Sequence, residues 1–166
     1  MQNIDFWNEI GSKKDFEDPL NLDRLKPFIN KNSKIVEYGC GYGRLMKSLK
    51  DEGYPLLTGY DISHKMLERG KKENPNLDLR LLEDNYSFSI PEEDSSTDLV
   101  ILSTILCCVP CRQEQKELVN EIHRILKPKG IVYLSDFLIS DEPYYQSKYL
   151  QGLKDFEEMG IYTTAE

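Results

Sequence analysis

The stretch Ile35-Val36-Glu37-Tyr38-Gly39-Cys40-Gly41-Tyr42-Gly43-Arg44 decides how the rest of the chain is read. A short apolar run, of the kind that forms a buried strand, ends in glycines on three alternate positions. Such a bend lets the main chain turn sharply and approach a ligand with no side chain in the way. A glycine triplet alone is shared by several nucleotide-binding loops. The neighbouring residues separate them. A phosphate-gripping loop of the ATPase kind needs Gly-Lys-Ser/Thr, whereas Gly43 is followed by Arg44-Leu45. A dinucleotide loop spaces its glycines G-x-G-x-x-G and leaves the next helix start open for a pyrophosphate. Here the third glycine comes one place early. Glu37 then sets a carboxylate at the strand's end, which is unfavourable beside a pyrophosphate and suits an ammonium group.

Outward from this loop the pattern alternates between strand and helix. Residues 34–38 read as a strand, and Leu45, Met46 and Leu49 recur at helical spacing until Gly53 and Pro55. A second strand is predicted over 56–61, followed by Ser63 as N-cap of a helix carrying Met66 and Leu67. Asn74-Pro75-Asn76 marks a turn, and Leu77, Leu79 and Leu81 alternate in a third strand over 77–82. After a polar connector at 91–96, residues 98–103 form a fourth strand. Its Leu99-Val100-Ile101-Leu102 run is continuously apolar, as an interior strand covered on both faces requires. A helix over 113–126 carries the stripe Leu118, Ile122 and Ile125, widened by Val119 and Leu126, and stopped by Lys127-Pro128-Lys129-Gly130. A fifth strand follows at 131–137, and Asp141-Glu142-Pro143 opens a last helix with Tyr144, Tyr145 and Tyr149. This rhythm predicts an α/β domain with a mostly parallel sheet. In such sheets ligands bind outside the carboxyl ends of the strands, where strand order reverses.

Residues 1–33 stand outside the rhythm. Phe6, Trp7 and Ile10 make one apolar face, and Leu20, Leu22, Leu25 and Phe28 make another. Two short helices over the ligand edge account for both, as does a helix covering the sheet's flank. One domain is expected, with a helical cap (1–33), a ligand-binding core (34–137) and a helical C-terminal segment (138–166).

The chain has 166 residues, 39% of them hydrophobic and 30% charged, with a formal net charge of −8. This is a globular composition, and it excludes binding of naked DNA or RNA through a Lys/Arg surplus. No apolar stretch approaches the roughly 20 residues of a membrane span. Met1 to Glu9 show neither a basic n-region nor an apolar h-region, so no signal peptide is expected and the cytoplasm is the expected location. The four cysteines, Cys40, Cys107, Cys108 and Cys111, make a poor disulfide framework and read as small, buried and reduced. Cys108 and Cys111 lack the two further ligands of a zinc site, so no metal is expected.

Two further acidic positions complete the constellation. Asp61 ends the second strand about 20 residues after the loop, where a carboxylate can accept both hydroxyls of a ribose. It reads otherwise as a helix cap, a role for which Ser63 is better placed. Asp84, past the third strand, can accept from an exocyclic amine such as adenine's. Glu83 competes for that role and Asn85 can add its main-chain amide. Carboxylates seeking an ammonium, a ribose and an amine around one glycine loop match S-adenosylmethionine.

On these residues the sequence resembles the class I S-adenosylmethionine-dependent methyltransferases, particularly the small-molecule "type 11" kind. Residues 37–43 look like that family's E-x-G-x-G-x-G motif, Asp61 with Ile62 like its ribose acid and the apolar neighbour of the adenine, and Asp84 like its adenine-amine partner. Ser96-Thr97-Asp98-Leu99-Val100 resembles the fourth-strand motif, with Thr97 in place of an aromatic. Residues 121–130 resemble the helix and turn before the fifth strand, with Lys129 in place of a glycine. The resemblance implies a three-layer Rossmann-like sheet of order 3-2-1-4-5. It also implies a sixth and seventh strand, and the sequence is read as ending before them, which leaves a sheet edge uncovered or paired with another chain, such as a second copy in a homodimer.

The function implied is direct methyl transfer from S-adenosylmethionine to a small-molecule acceptor, yielding S-adenosylhomocysteine, with no nucleic acid or membrane partner. The cofactor-binding residues expected are Glu37, Tyr38, Gly39, Cys40, Gly41, Gly43, Arg44, Asp61, Ile62, Met66, Asp84 and Asn85, with Ser103 and Thr104 at the methionine end. No catalytic base is assigned: the sulfonium methyl is already activated, so in-line positioning suffices. His64 can touch substrate, but its position favours an exposed first-turn residue, and His123 reads as structural. The tyrosines near 144 are read as core in preference to an acceptor pocket. A cofactor-binding module without a complete acceptor site is the alternative, and a nicotinamide oxidoreductase is a third reading that Glu37 disfavours.

Overall fold

The structure, a computed structural model, describes residues 4–10, 13–83, 88–109, 111–136, 141–144, 146–147 and 150. Strand β1 (Ile35–Tyr38) is buried along its whole length, because both faces and both edges are covered. Parallel β2 (Leu57–Asp61) pairs on one side, with Ile35 opposite Leu57, and parallel β4 (Thr97–Ser103) on the other, with Ile35 opposite Leu99. Strands β3 (Leu79–Leu81) and β5 (Leu126–Ser135) extend the sheet to the order β3-β2-β1-β4-β5, all parallel. The family resemblance implied this order, and the alternation of strands and helices a mostly parallel sheet. Parallel neighbours need crossover connections, supplied by α3 (Arg44–Asp51), α4 (His64–Glu73) and α5 (Arg112–Ile125).

Side-chain alternation along β1 and β4 sorts the core into two layers. Ile35, Leu99 and Ile101 pack with Leu45, Met46 and Leu49 of α3 and with Leu25 of α2 (Leu22–Leu25). Val36, Tyr38, Val100 and Leu102 pack on the opposite face with Leu118, Ile122 and Ile125 of α5. Each such aliphatic side chain contributes about 1.5–3 kcal/mol when fully buried.

Several boundaries differ from expectation. The third strand spans only three residues, and Leu81 is exposed because β3 is an edge. Helix α5 stops at Ile125; Leu126 turns to an extended backbone and begins β5, though it still packs against the core that the stripe builds, and Val119 is 50% exposed. No glycine ends this helix. Lys129, where a glycine was expected, takes φ +70°, a conformation strained for any side chain. Phe28 and Tyr144 are exposed, so neither belongs to the core, while Tyr145, Tyr149 and residues 137–140 and 151–166 lie outside the described residues. No helix among the described residues is long and apolar enough to cross a membrane.

Asp98 of the fourth-strand motif lies at the end of the sheet away from the glycine loop and ties strands together. It accepts from Lys34 N–H at 2.8 Å and from Lys127 Nζ at 2.8 Å. Burial opposes its ionisation, but these donors outweigh it and hold the carboxyl below its usual range. Its neighbour Thr97 is fully buried with Oγ1 lacking a partner. Thr97→Val keeps the shape and removes the unpaired hydroxyl, so a stability gain of about 1–2 kcal/mol is expected. Thermal denaturation checks it; a lower melting temperature would mean that the hydroxyl is satisfied.

Candidate functional site

The glycine loop leaves β1 as a ligand-facing bend. Gly39, Gly41 and Gly43 all adopt positive φ (+74°, +55° and +83°), which the alternate glycines of the sequence permit. A Cβ on Gly39 would come within 2.0 Å of Ile105 Cδ1, and one on Gly41 within 3.1 Å of Met66 Sδ, so bare backbone lines the cleft at both places. Gly43 differs from expectation. It is absent from the cleft wall, and its missing Cβ makes room for Leu77 and Leu79, so its part is packing.

The cleft at the carboxyl ends of β1, β2 and β4 holds about 940 Å³ with its open mouth included. Its wall includes Glu37, Tyr38, Gly39, Cys40, Gly41, Arg44, Asp61, Ile62, Met66, Ser103 and Thr104, all expected from sequence. Thr104, the strained hinge of this wall, has φ +60°, and its N–H is committed to the Ser135 carbonyl at 2.7 Å. Asp84 and Asn85 lie outside the described residues; Glu83 is described and exposed. His64 and His123 are exposed and line no part of the cleft.

Glu37 is only 3% exposed, and its Oε2 has no hydrogen-bond partner. Burial pushes its pKa up to about 8, against the Arg44 guanidinium and the Met46 N–H, which pull it down, while the Asp61 charge adds to the rise. The unpartnered Oε2 is thus a buried acceptor open to a hydrogen-bond donor from a ligand.

Asp61 does something the sequence did not reveal. Oδ2 accepts from Gly41 N–H at 2.7 Å and Oδ1 from Ser63 N–H at 2.8 Å, so its carboxylate staples the glycine loop to the β2–α4 turn. Each oxygen retains acceptor capacity toward a ligand. Ser63 caps α4 as expected, its Oγ accepting from Met66 N–H at 3.2 Å and donating to Asn8 Oδ1 at 2.9 Å.

The Asn8 contact draws α1 (Ile4–Ile10) over the ligand edge, while α2 packs against the sheet's flank. Both arrangements considered for residues 1–33 therefore occur, one for each helix. The segment between them is held by Phe16 N–H to Tyr42 Oη (3.0 Å), by stacking of those two rings, and by the Arg69 guanidinium 4.0 Å over Tyr42. The result adds Trp7, Phe16 and Asp18 to the cleft, along with Leu82, Cys108 and Val109. Sequence reasoning missed all six. Only the apolar face of Trp7 hinted at its place.

The cysteines correct another expectation. All four are free, but only Cys40 is buried; Cys107 and Cys111 are exposed and Cys108 is intermediate. The five residues after Cys111, Arg112 to Lys116, are all polar and keep the start of α5 toward solvent.

The cleft at the switch point of an all-parallel 3-2-1-4-5 sheet, with a glycine bend and inward carboxylates, defines a class I nucleoside-cofactor domain. Residues 36–134, more than half of the chain, match the methyltransferase domain family, and the chain belongs to that family. It is 25% identical over 150 residues to a demethylmenaquinone methyltransferase of Chlorobaculum parvum, covering 90% of this chain and 56% of that protein. It is 28% identical over 163 residues to a mitochondrial ubiquinone biosynthesis O-methyltransferase of Dictyostelium discoideum, covering 81% and 50%. A crystal structure of an S-adenosylmethionine-dependent methyltransferase from Methanosarcina mazei superposes with TM-score 0.80 at 22% identity, over 90% of this chain and 73% of that one. The chain spans about half the length of these curated relatives.

Proposed function

We propose that this chain binds S-adenosylmethionine in the cleft and transfers its methyl group to a small-molecule acceptor. The observation that carries the reading is the buried, unpartnered Oε2 of Glu37 beside a side-chain-free bend. On this reading Glu37 pairs with the amino group of the methionine moiety. Asp61 offers its remaining lone pairs to the ribose hydroxyls, and Ile62 and Met66 flank the base. Ser103 and Thr104 contact the methionine end, and Asp84 with Asn85 remains the proposed partner of the adenine amine. Gly39, Cys40 and Gly41 give the main-chain approach, with Tyr38 beneath it.

Arg44 fits the same picture without binding the cofactor's charge. Its guanidinium donates to the Asp18 carbonyl, which fixes the N-terminal segment over the cleft, and its field favours ionised Glu37.

Bound there, the cofactor supplies a methyl group already activated by its sulfonium. What remains for the chain is to hold acceptor and donor in line and to keep water out. Trp7, Phe16 and Ile105 provide that apolar enclosure. Among the described residues of the cleft wall Arg44 is the one Lys or Arg side chain, which favours a neutral acceptor over a phosphorylated one. The relatives named for demethylmenaquinone and for ubiquinone biosynthesis support a small organic acceptor. With free thiols exposed on its surface, the protein is suited to the reducing cytoplasm.

Calorimetric titration with S-adenosylmethionine and S-adenosylhomocysteine tests the reading. Both are expected to bind at one site per chain. Failure of both to bind at pH 8 would overturn it.

A further inference from the structure

The proposed donor site leaves one reactive cluster on the cleft wall unexplained. The 3₁₀ turn Leu106–Cys108 sets Cys107 Sγ and Cys108 Sγ 3.7 Å apart. Cys108 lines the cleft, its Sγ 3.3 Å from the Thr104 carbonyl, and Cys107 is exposed, its N–H donating to Asp136 Oδ2 at 3.1 Å. The turn is therefore held from both sides, and the two sulfurs lie on the same side of it.

The sulfur separation selects what can join them. A direct disulfide would need an S–S distance of about 2.05 Å, and Cα atoms at least roughly 4.4 Å apart. Consecutive residues offer only about 3.8 Å between Cα atoms. A linear two-coordinate ion with bonds of about 2.3 Å, the usual metal–thiolate length, would need sulfurs about 4.6 Å apart. A pyramidal trivalent centre with bonds of that length and angles near 100° spans about 3.5 Å, within a few tenths of an ångström of what is present. No group of three or more His, Cys, Asp or Glu side chains suited to a metal occurs among the described residues. Two thiols and one substituent of the ligand's own thus complete a three-coordinate centre.

We propose that Cys107 and Cys108 form a two-thiol site for a trivalent, thiophilic centre carrying one organic substituent, seated on the cleft wall beside Thr104 and Ile105. This inference does not rest on the methyl-donor reading. The reaction balances without redox change. For an arsenoxide, two S–H bonds and the As–oxygen double bond break, two As–S bonds form, and both protons leave with the oxygen as water. The two thiols share one S–H···S contact, so loss of a proton from either leaves a thiolate that its neighbour stabilises and that attacks first.

Phenylarsine oxide, added to the full chain and followed by intact-mass spectrometry under native conditions, is the test. A single adduct is expected that survives excess monothiol and is removed by a dithiol such as dimercaptopropanol. Cys107→Ser and Cys108→Ser should each abolish that monothiol-resistant adduct, whereas Cys111→Ser and Cys40→Ser should keep it. In the wild-type chain the same probe should protect Cys107 and Cys108, but not Cys111, from alkylation, a readout independent of how any variant folds. No monothiol-resistant adduct, one that persists without either cysteine, or one that protects Cys111 overturns the proposal.

Discussion

Glu37→Gln is expected to weaken S-adenosylmethionine binding by roughly 10- to 150-fold, the range of a lost charge-assisted hydrogen bond of about 1.5–3 kcal/mol. At pH 8 the same variant should raise the stability of the ligand-free protein. The opposite signs follow from linkage. Glu37 has an ordinary pKa of 4.5 and one of about 8 when buried in the fold. Between those values the folded chain holds a proton that the unfolded chain has released. The stability this brings is complete below pH 4.5 and is lost as pH rises through about 8. Asp61 adds to the trend, since burial outweighs the N–H groups of Ser63 and Gly41 and raises its pKa as well. Wild-type melting temperature should therefore decline from pH 5 to 8, and Gln at position 37 should flatten much of that decline. Ligand binding runs the other way. An ammonium partner requires the ionised carboxylate, so wild-type affinity should climb toward pH 8 by up to about tenfold per pH unit, and the variant's should not. Calorimetry and thermal melts across this pH range report both effects. A variant that binds like wild type, or that loses stability at pH 8, would remove Glu37 from the site.

Asp61→Ala should have the largest effect on folding. It strands two donors, the part-buried Gly41 N–H and the buried Ser63 N–H, each costing about 1–3 kcal/mol when left without an acceptor. A total loss of about 2–6 kcal/mol is expected, read as a fall in the urea midpoint at unchanged m value. Cofactor affinity should fall with it, because the glycine loop loses its tie to the β2–α4 turn. Asp61→Asn keeps one acceptor oxygen and should lose about half as much. Wild-type stability in Asp61→Ala would instead make Asp61 a ribose acceptor with no structural duty.

The contrast between these two carboxylates shows where sequence reasoning reaches. Both were identifiable from the strand-end positions of Glu37 and Asp61. Their different states were not: one buried oxygen of Glu37 is orphaned, while Asp61 is stapled to two backbone amides. Hydrogen bonding and desolvation depend on which main-chain groups the fold brings alongside, and no local pattern encodes that.

The interior place of β1 and β4 and the ligand-facing bend at Gly39 and Gly41 follow from the chain's local chemistry, whereas the order of the strands was legible only through the family resemblance of its motifs. Apolar periodicity and glycine's freedom at positive φ are properties of a few consecutive residues, so they can be read directly. The end of α5 was misjudged because an apolar residue, Leu126, suits a helix stripe and a strand equally well, and only pairing with Thr97 opposite decides for the strand. Tertiary structure alone brought Trp7 and Phe16 to the cleft, left Tyr144 and three cysteines off the core, and set two of those thiols side by side. Those outcomes arise from surfaces that meet across tens of residues, as Phe16 meets Tyr42 and Asn21 meets Tyr133, and such meetings are written in shape and burial, not in spacing.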